Sequence, residues 1–475
     1  MSMRTNIQLL IILLAFALSK TASVCGQNYN VIVYQPPSGF VETQGEGIAG
    51  QQRVGAARIE GGVYPEYTHA LLWLGNSTTP IDLHPSQWSY SRASATDGTH
   101  QVGYVEGQTS SYSGRYAALW SGTSDSIVIL PPFDIGAYSE ALSIAGNEIV
   151  GYNDYSFNGG AGDGGGGTTY IIHAALWNVS SANLIDLHPN LPGANSPGDQ
   201  RSKAYDTDGA YQVGWTNFYV PQSDGNFSSE TRAMLWHGTS ESAVILHPPN
   251  WDVSYAYGVK NGTQVGYGIQ NVDMGGVMAL VWHGSAETLT ILGEGTALDT
   301  NGATHVGSIS VGYSSHAFRW DGDTGTGVDL HNLLPAGYIN SGATDIDDAG
   351  NIIGWAQLQS GYLNAVLWSV VATNSPPTVS VTNPLPKSKH TTNELLTLVA
   401  SAKDSDGNVS RVEFFVDGMS VGIASQRNAK GSFSVQWRPT QNGICRIQAK
   451  ATDNGGATTM SQTVMIAVSN ATGRL

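Results

Sequence analysis

Seven tryptophans, each three residues after an alanine, constrain this chain more than any other feature. The phrases are HALLW, YAALW, HAALW, RAMLW, MALVW, HAFRW and NAVLW, ending at Trp73, Trp120, Trp177, Trp236, Trp282, Trp320 and Trp368. Mostly Leu, Val, Met or Phe fills the places between, so each phrase is apolar on both faces, as a short strand buried on both sides must be. Upstream of each lies a Val-Gly or Ile-Gly pair: Val54-Gly55, Val102-Gly103, Val150-Gly151, Val213-Gly214, Val265-Gly266, Val306-Gly307 and Ile353-Gly354. Turns such as TDGTHQVGY and KNGTQVGY precede these pairs, and Asp-Gly or Asn-Gly between apolar runs signals a hairpin. After most tryptophans comes a further strand such as PIDLHP, SIVILPP or GVDLHN.

The repeating unit is therefore a hairpin plus two strands, and four short strands at this period predict propeller blades in an all-β chain. Seven units predict a seven-bladed β-propeller over residues 27–372. The last phrase, NAVLWSVV, runs on without its closing strand, while Asn30 to Gly55 matches Ser126 to Gly151 in pattern and order. The N-terminal strand is thus expected beside Trp368, closing the ring and removing a free edge.

The combination of IxGxxVGY, HAxLWxG and DLHP resembles the HAF family of bacterial extracellular repeats, the name phrase being His316-Ala317-Phe318. The chain departs from that pattern with DLHP or ILHPP where the family more often has Asp-Leu-Gly, and it lacks the His in four of seven phrases. The resemblance implies an exported β-repeat protein and no particular reaction.

Export is also expected from the N-terminus. Residues 1–26 carry Arg4, an apolar run from Leu9 to Leu18 and then small residues, the pattern of a signal peptide too short to span a bilayer. No transmembrane segment follows. Cys25 and Cys445 are the only cysteines, so removal of the first leaves no disulfide, and core size alone must hold the fold. Cys25 also raises lipidation, which the preceding Ala-Ser-Val disfavours.

Residues 27–376 carry 9 Lys plus Arg against 31 Asp plus Glu, whereas residues 377–470 carry 9 against 6. So acidic a surface on the repeat region excludes nucleic acid and anionic membrane as partners. The charge step also marks a second domain. Beyond a Pro-containing linker at 373–377, residues 378–470 read as seven short alternating strands, the count of an Ig-like β-sandwich. The phrases AKDSDGNVSRVEFFVDG and AKATDNGGATT resemble bacterial Ig-like modules of surface proteins and secreted polysaccharide-degrading enzymes, where they act as spacers, stabilisers or adhesive units. Cys445 stands where such modules usually carry a Tyr, and it reads as a buried small hydrophobe.

Four histidines share one repeat position, His84, His188, His247 and His331, three of them preceded by Asp82, Asp186 and Asp329. Equivalent positions of successive blades lie too far apart for one ion, so these read as strand-end caps. The stretches DSDGN at Asp404, DTDG at Asp206 and DIDDAGN at Asp345 have the alternating oxygens of calcium loops without the full spacing, and Asp-Gly turns account for them. No metal or cofactor is assigned. The glycine run at 159–167 lacks the Gly-Lys-Ser/Thr of a phosphate loop.

The connection from Val-Gly to tryptophan is longest after Gly151 and Gly214, in adjacent units. It carries Tyr152, Asp154, Tyr155 and Phe157 on one side and Trp215, Phe218 and Tyr219 on the other. Aromatic faces beside carboxylates suit sugar rings, although Tyr152 and Trp215 occupy a position that is aromatic in five units and that the blade core also claims. No esterase elbow, zinc helix or dinucleotide fingerprint appears, and no catalytic residue is assigned. The expectation is a secreted, non-catalytic binding or adhesion protein whose partner is a glycan or a cell-envelope protein. Alternatives are a polysaccharide-active enzyme or a structural matrix component.

Overall fold

The computed structural model describes residues 29–61, 67–75, 77–108, 113–133, 138–158, 168–181, 183–190, 201–221, 227–270, 276–371 and 374–470, with the side chains of 108, 113, 155–158, 168–170, 219–221 and 227–229 excepted. The signal-peptide residues 1–26, Cys25 and the glycine run 159–167 lie outside them. The chain divides into two compact units, Met1–Val371 and Ala372–Leu475. Among the described residues no helix is long and apolar enough to cross a membrane.

The described strands of the first unit form seven antiparallel four-stranded sets, which we number along the chain: 40–82, 90–129, 139–186, 202–245, 253–294, 296–329 and 338–370. The seventh has three strands of its own and takes its fourth from Tyr29–Tyr34, which pairs antiparallel with Leu363–Val370 so that Val31 faces Trp368. Sets four and five are joined by one parallel bridge, Thr231 to Val253. The first strand of each set contacts the first strand of the next, and that of the seventh contacts that of the first.

The repeated residues explain this arrangement. All seven tryptophans and all seven alanines are buried, none more than 1% exposed. They fill seven separate cores, each between consecutive sheets. One unites Ala70 and Leu72 with Ala93 and Trp120, for example, and the last unites Ala365 and Leu367 of the seventh sheet with Ile48 and Trp73 of the first. The Val-Gly pair has an equally physical cause. A β-bulge interrupts every first strand beside it. A Cβ on Gly55, Gly103, Gly151, Gly214, Gly266, Gly307 or Gly354 would lie within 1.8–2.1 Å of a carbonyl oxygen on that strand, so only glycine fits.

A hydroxyl joins neighbouring sheets at the alanine of the phrase. The N–H groups of Ala70, Ala117, Ala174, Ala233 and Ala317 donate to Ser91, Ser139, Ser202, Ser254 and Ser341 Oγ at 2.9 Å, and Ala365 N–H donates to Thr43 Oγ1 at 3.0 Å. Each hydroxyl lies on the first strand of the next sheet, and the Thr43 bond joins the seventh sheet to the first.

In the second unit, a three-stranded sheet (378–383, 396–403, 433–437) and a larger one (389–391, 464–469, 443–453, 409–416, 419–424, with 458–460 at its side) enclose Leu398, Phe414, Phe433, Ile447 and Ala449. Lys389–Thr391 and Thr458–Met460 are short strands beyond the seven read from sequence. Cys445 packs into this core, and burial pushes its thiol pKa up.

Candidate functional site

The repeated histidines tie the end of each of their sheets to the first strand of the next. Asp82 accepts from the backbone N–H of His84 at 2.8 Å and contacts His69 Nδ1 at 2.8 Å, while His84 Nδ1 meets Ser91 Oγ at 2.9 Å. The imidazoles of His69 and His84 stack at 3.8 Å. The same arrangement recurs at His173, Asp186, His188 and Ser202, and at His316, Asp329, His331 and Ser341. His247 keeps the serine bond, to Ser254, and adds Trp251 O. Burial, then the neighbouring His69, pulls His84 down to about 4, so it is neutral at physiological pH. Ser91, wholly buried and already bonded to Ala70 N–H, is no nucleophile. Pairing of the phrase histidine with the DLHP histidine was not visible in the sequence.

The described parts of the longest connections are extended ladders. Glu148–Asn158 pairs with Thr168–Asn178 and Gln212–Pro221 with Phe227–Trp236, so the added residues lengthen the second and third strands of sheets three and four. Tyr155, Phe157 and Tyr219 lie on these ladders, but their side chains fall outside the described residues. Phe218 packs against the core between the two sheets, with the Arg232 guanidinium 4.4 Å from its ring centre. Asp154 is half-buried, one carboxylate oxygen has no partner, and burial raises its pKa against the pull of Lys203.

Tyr152 and Trp215 belong to a wider polar and aromatic surface along the first two strands of sheets two to five. Tyr152 OH donates to Glu140 Oε2 at 2.8 Å, and Lys203 Nζ lies 3.9 Å from the Tyr152 ring centre. Burial and then the Glu140 charge raise the Tyr152 pKa, so its hydroxyl stays protonated. Arg115 reaches Glu140 at 3.4 Å and Glu106 at 2.8 Å, and Arg92 pairs with Glu46. Trp215 Nε1 donates to Tyr205 OH at 3.1 Å. Tyr205 stacks on Tyr257 at 4.3 Å, and Tyr257 on Tyr267 at 5.6 Å.

Sequence reasoning missed Tyr205 and Tyr257. Both sit at the bulge, the place occupied by Glu46, Ser94, Leu142, Leu298 and Thr344 in the other sheets. Aligning the repeats on the small residue of the first strand, instead of on the tryptophan, exposes two adjacent tyrosines at an otherwise non-aromatic position. Both are half-buried.

Just beyond the bulges, at the hairpin ends of the first strands, residues of all seven sheets line a cavity of about 850 Å³. Asp206, Asp299 and Asp345 stand at one repeat position there, directly after the bulge. Asp206 accepts from Val259 N–H at 2.7 Å and Ser143 Oγ at 2.6 Å. Asp299 accepts from Ile346 N–H at 2.9 Å and Asp345 from Ile48 N–H at 2.6 Å. Each carboxylate thus ties its sheet to the next, which answers the calcium-like look of DTDG and DIDDAGN. Burial raises all three, with Asp206 at about 7 and Asp299 pushed further by the adjacent Asp345 charge. Among the described residues no three carboxylate, thiolate or imidazole groups converge on a metal position.

The second unit can be placed by comparison with known proteins. Residues 377–449 match the bacterial Ig domain family. Within this Ig domain Asn374 and Ser375, read from sequence as linker, bond to Asp453 at 3.1 Å and Asp406 at 2.7 Å. Fibronectin(III)-like modules of CbhA from Clostridium thermocellum are 34% identical to this chain over 20% of its length and 99% of theirs, with a TM-score of 0.18. The β-propeller domain of the Trilobed protease from Pyrococcus furiosus is 9% identical over 69% of this chain and 95% of that one, with a TM-score of 0.45. The comparison with curated proteins gives no match.

Proposed function

We propose that this chain is a secreted, non-catalytic glycan-binding protein of the bacterial cell surface or matrix: a seven-bladed propeller closed by its N-terminal strand, carrying an Ig domain as spacer. The seven inter-sheet cores and the pairing of Tyr29–Tyr34 beside Trp368 support the propeller reading. The apolar run before Ser19 supports export.

One observation carries the ligand class. Tyr205 and Tyr257 break the repeat on adjacent sheets, four and five, beside Trp215 and Lys203 of sheet four and near Tyr152 and Glu140 of sheet three. Structural need is met without aromatics at the five other bulges, so these two answer to something else. Tyrosine faces and hydroxyls with flanking carboxylate and ammonium groups offer what a sugar needs, apolar C–H contact and several donors and acceptors.

The test is a glycan array followed by calorimetry on the mature chain and on Tyr205→Ala/Tyr257→Ala. Selective binding that weakens at least about tenfold in the variant, a loss of roughly 1.4 kcal/mol, is expected. Binding untouched by the variant would remove this site. New reducing ends or unsaturated products from a bound polysaccharide would make the protein an enzyme instead.

A further inference from the structure

The seam between the seventh sheet and the first departs from the other six at two repeat positions. A buried leucine stands in or just after the fourth strand of six sheets: Leu83, Leu130, Leu187, Leu246, Leu292 and Leu330. In the seventh sheet, whose fourth strand is Tyr29–Tyr34, that place belongs to Tyr34, wholly buried opposite Ala365. The residue before the Val-Gly or Ile-Gly pair is Gln101, Ile149, Gln212, Gln264, His305 or Ile352 in six sheets and Arg53 in the first, where it is 4% exposed. Both departures border one indole. Arg53 lies directly across the ladder from Trp73, on the face that Ala57 and Leu71 turn to the seventh sheet, and the Tyr34 ring packs on Trp73 at 4.9 Å.

Each brings a buried donor that the protein does not satisfy. Arg53 Nη1 donates to Gly75 O at 2.9 Å, but Nε is shielded from solvent and meets no acceptor, and the shielded Tyr34 hydroxyl meets none either. Burial raises the Tyr34 pKa against the pull of Arg53, so the hydroxyl keeps its proton. The glutamines at the Arg53 position are satisfied internally: Gln101 accepts from Gly122 N–H and donates to Gln52 Oε1, and Gln212 accepts from Gly238 N–H and donates to Glu148. The other buried or half-buried arginines of the repeat unit, Arg58, Arg92, Arg115, Arg232 and Arg319, each pair with a carboxylate, whereas among the described residues none pairs with Arg53. Two buried donors, one carrying a full positive charge, are destabilising unless an acceptor, best an anion, lies between them.

We propose that the seam between the seventh and first sheets binds one small monovalent anion, chloride, between Arg53 Nε–H and the Tyr34 hydroxyl. With Tyr34 wholly and Arg53 almost wholly buried, the place suits a monatomic ion and excludes an anionic group that trails a chain into solvent. Trp73 Nε1 also has no acceptor, but Trp120, Trp236 and Trp282 share that property, so it belongs to the repeat and not to this seam. Because Tyr34 ends the N-terminal strand and Arg53 belongs to the first sheet, the ion would tie together the two elements that meet where the ends of the repeat unit join.

The experiment is scanning calorimetry of the full chain as sodium gluconate is exchanged for sodium chloride at constant ionic strength, which holds screening fixed. Arg53→Gln, which installs the residue of three other sheets, and Tyr34→Phe, which removes only the hydroxyl, are measured in parallel. The wild-type midpoint of the repeat unit is expected to rise and saturate, by about 2 °C at a tenfold excess of chloride over its dissociation constant. Bromide should replace chloride and give an anomalous scattering peak at the seam in crystals. The rise should vanish in Arg53→Gln, and the apparent affinity should fall about tenfold in Tyr34→Phe. A wild-type midpoint indifferent to chloride overturns the proposal and makes water the partner of the two donors. So does a halide response that persists in Arg53→Gln, which would be a general salt effect. The wild-type titration stands even if a variant fails to fold.

Discussion

Replacing Asp206 by Asn should make the repeat unit more stable at alkaline pH and leave it almost unchanged in acid. The carboxyl stands at about 7 in the folded chain, against an ordinary value near 3.8, because burial and then the Asp345 charge disfavour its ionised form, more than Ser143 and Val259 favour it. A folded pKa above the unfolded one means that the folded state binds the extra proton. Its stabilisation is complete below about pH 4 and is lost as pH rises through 7. The difference from the ordinary value, at about 1.4 kcal/mol per pH unit, sets a ceiling near 4 kcal/mol, and the partial exposure of Asp206 to the open cavity reduces this to roughly 1–2 kcal/mol. For a unit of roughly 340 residues, an unfolding entropy of about 2 cal/mol/K per residue turns that into about 1.5–3 °C. Asn is nearly isosteric: its oxygen can still accept from Val259 N–H, and its amide can donate to Ser143 Oγ. The measurement is the midpoint of the repeat unit by scanning calorimetry from pH 4 to 9 for both chains, read as a difference. His84, depressed to about 4, destabilises the fold as pH falls below 6.5 and cancels in that difference. Asp345 keeps its own alkaline loss in both chains, removal of the Asp206 charge eases that of Asp299 and so adds to the alkaline gain, and Lys260, raised chiefly by Asp348 against its desolvation, stays charged throughout. A difference independent of pH, or an Asn variant that melts lower at pH 9, would refute the reasoning.

Two further substitutions test the repeat itself. Gly151→Ala places a methyl 1.9 Å from Glu140 O, a backbone atom that cannot retreat without opening the bulge, so a loss above about 3 kcal/mol or failure to fold is expected in denaturant unfolding. Gly146→Asn, at φ +59 with nothing within 4 Å, should cost less than about 1 kcal/mol. Ser202→Ala leaves Ala174 N–H unpaired between two sheets and removes the partner of His188, and should cost about 1–3 kcal/mol. Ser202→Thr, which keeps the hydroxyl as Thr43 does in the first sheet, should recover part of that loss.

The sheets were legible because their cause is local and repeated. Ala three before Trp reports a doubly buried strand, Val-Gly reports a bulge with no room for a Cβ, and Asp-Gly reports the turn between. The match of Asn30–Gly55 to a later stretch anticipated the pairing of Val31 with Trp368 across more than 330 residues. What escaped was the relation between sheets. Ser91 and Ala70 meet 21 residues apart, and His69 and His84 stack only because the fourth strand folds back beside the third. No periodicity within one repeat encodes these contacts. The sequence shows the added length after Gly151 and Gly214 only as a longer connection, because residues inserted between two strands look alike whether they pair or not.

The same reasoning separates architecture from use. A repeat position held by one residue type in every sheet answers to packing, as with the seven alanines and seven glycines. A position that varies without consequence for the ladder is free to serve something else, and the bulge is such a place: glutamate, serine, leucine, tyrosine and threonine all satisfy it. Two tyrosines at neighbouring bulges, in contact with each other and with a tryptophan whose N–H one of them accepts, are therefore unexplained by the fold. The three aspartates one residue further on are explained by it, since each accepts a backbone N–H from the adjoining sheet. Carboxylates around a central cavity would ordinarily invite a catalytic reading. Here each already accepts a backbone N–H from the adjoining sheet, and the chemistry the fold leaves unexplained belongs to the tyrosines one residue earlier, at the bulges of sheets four and five.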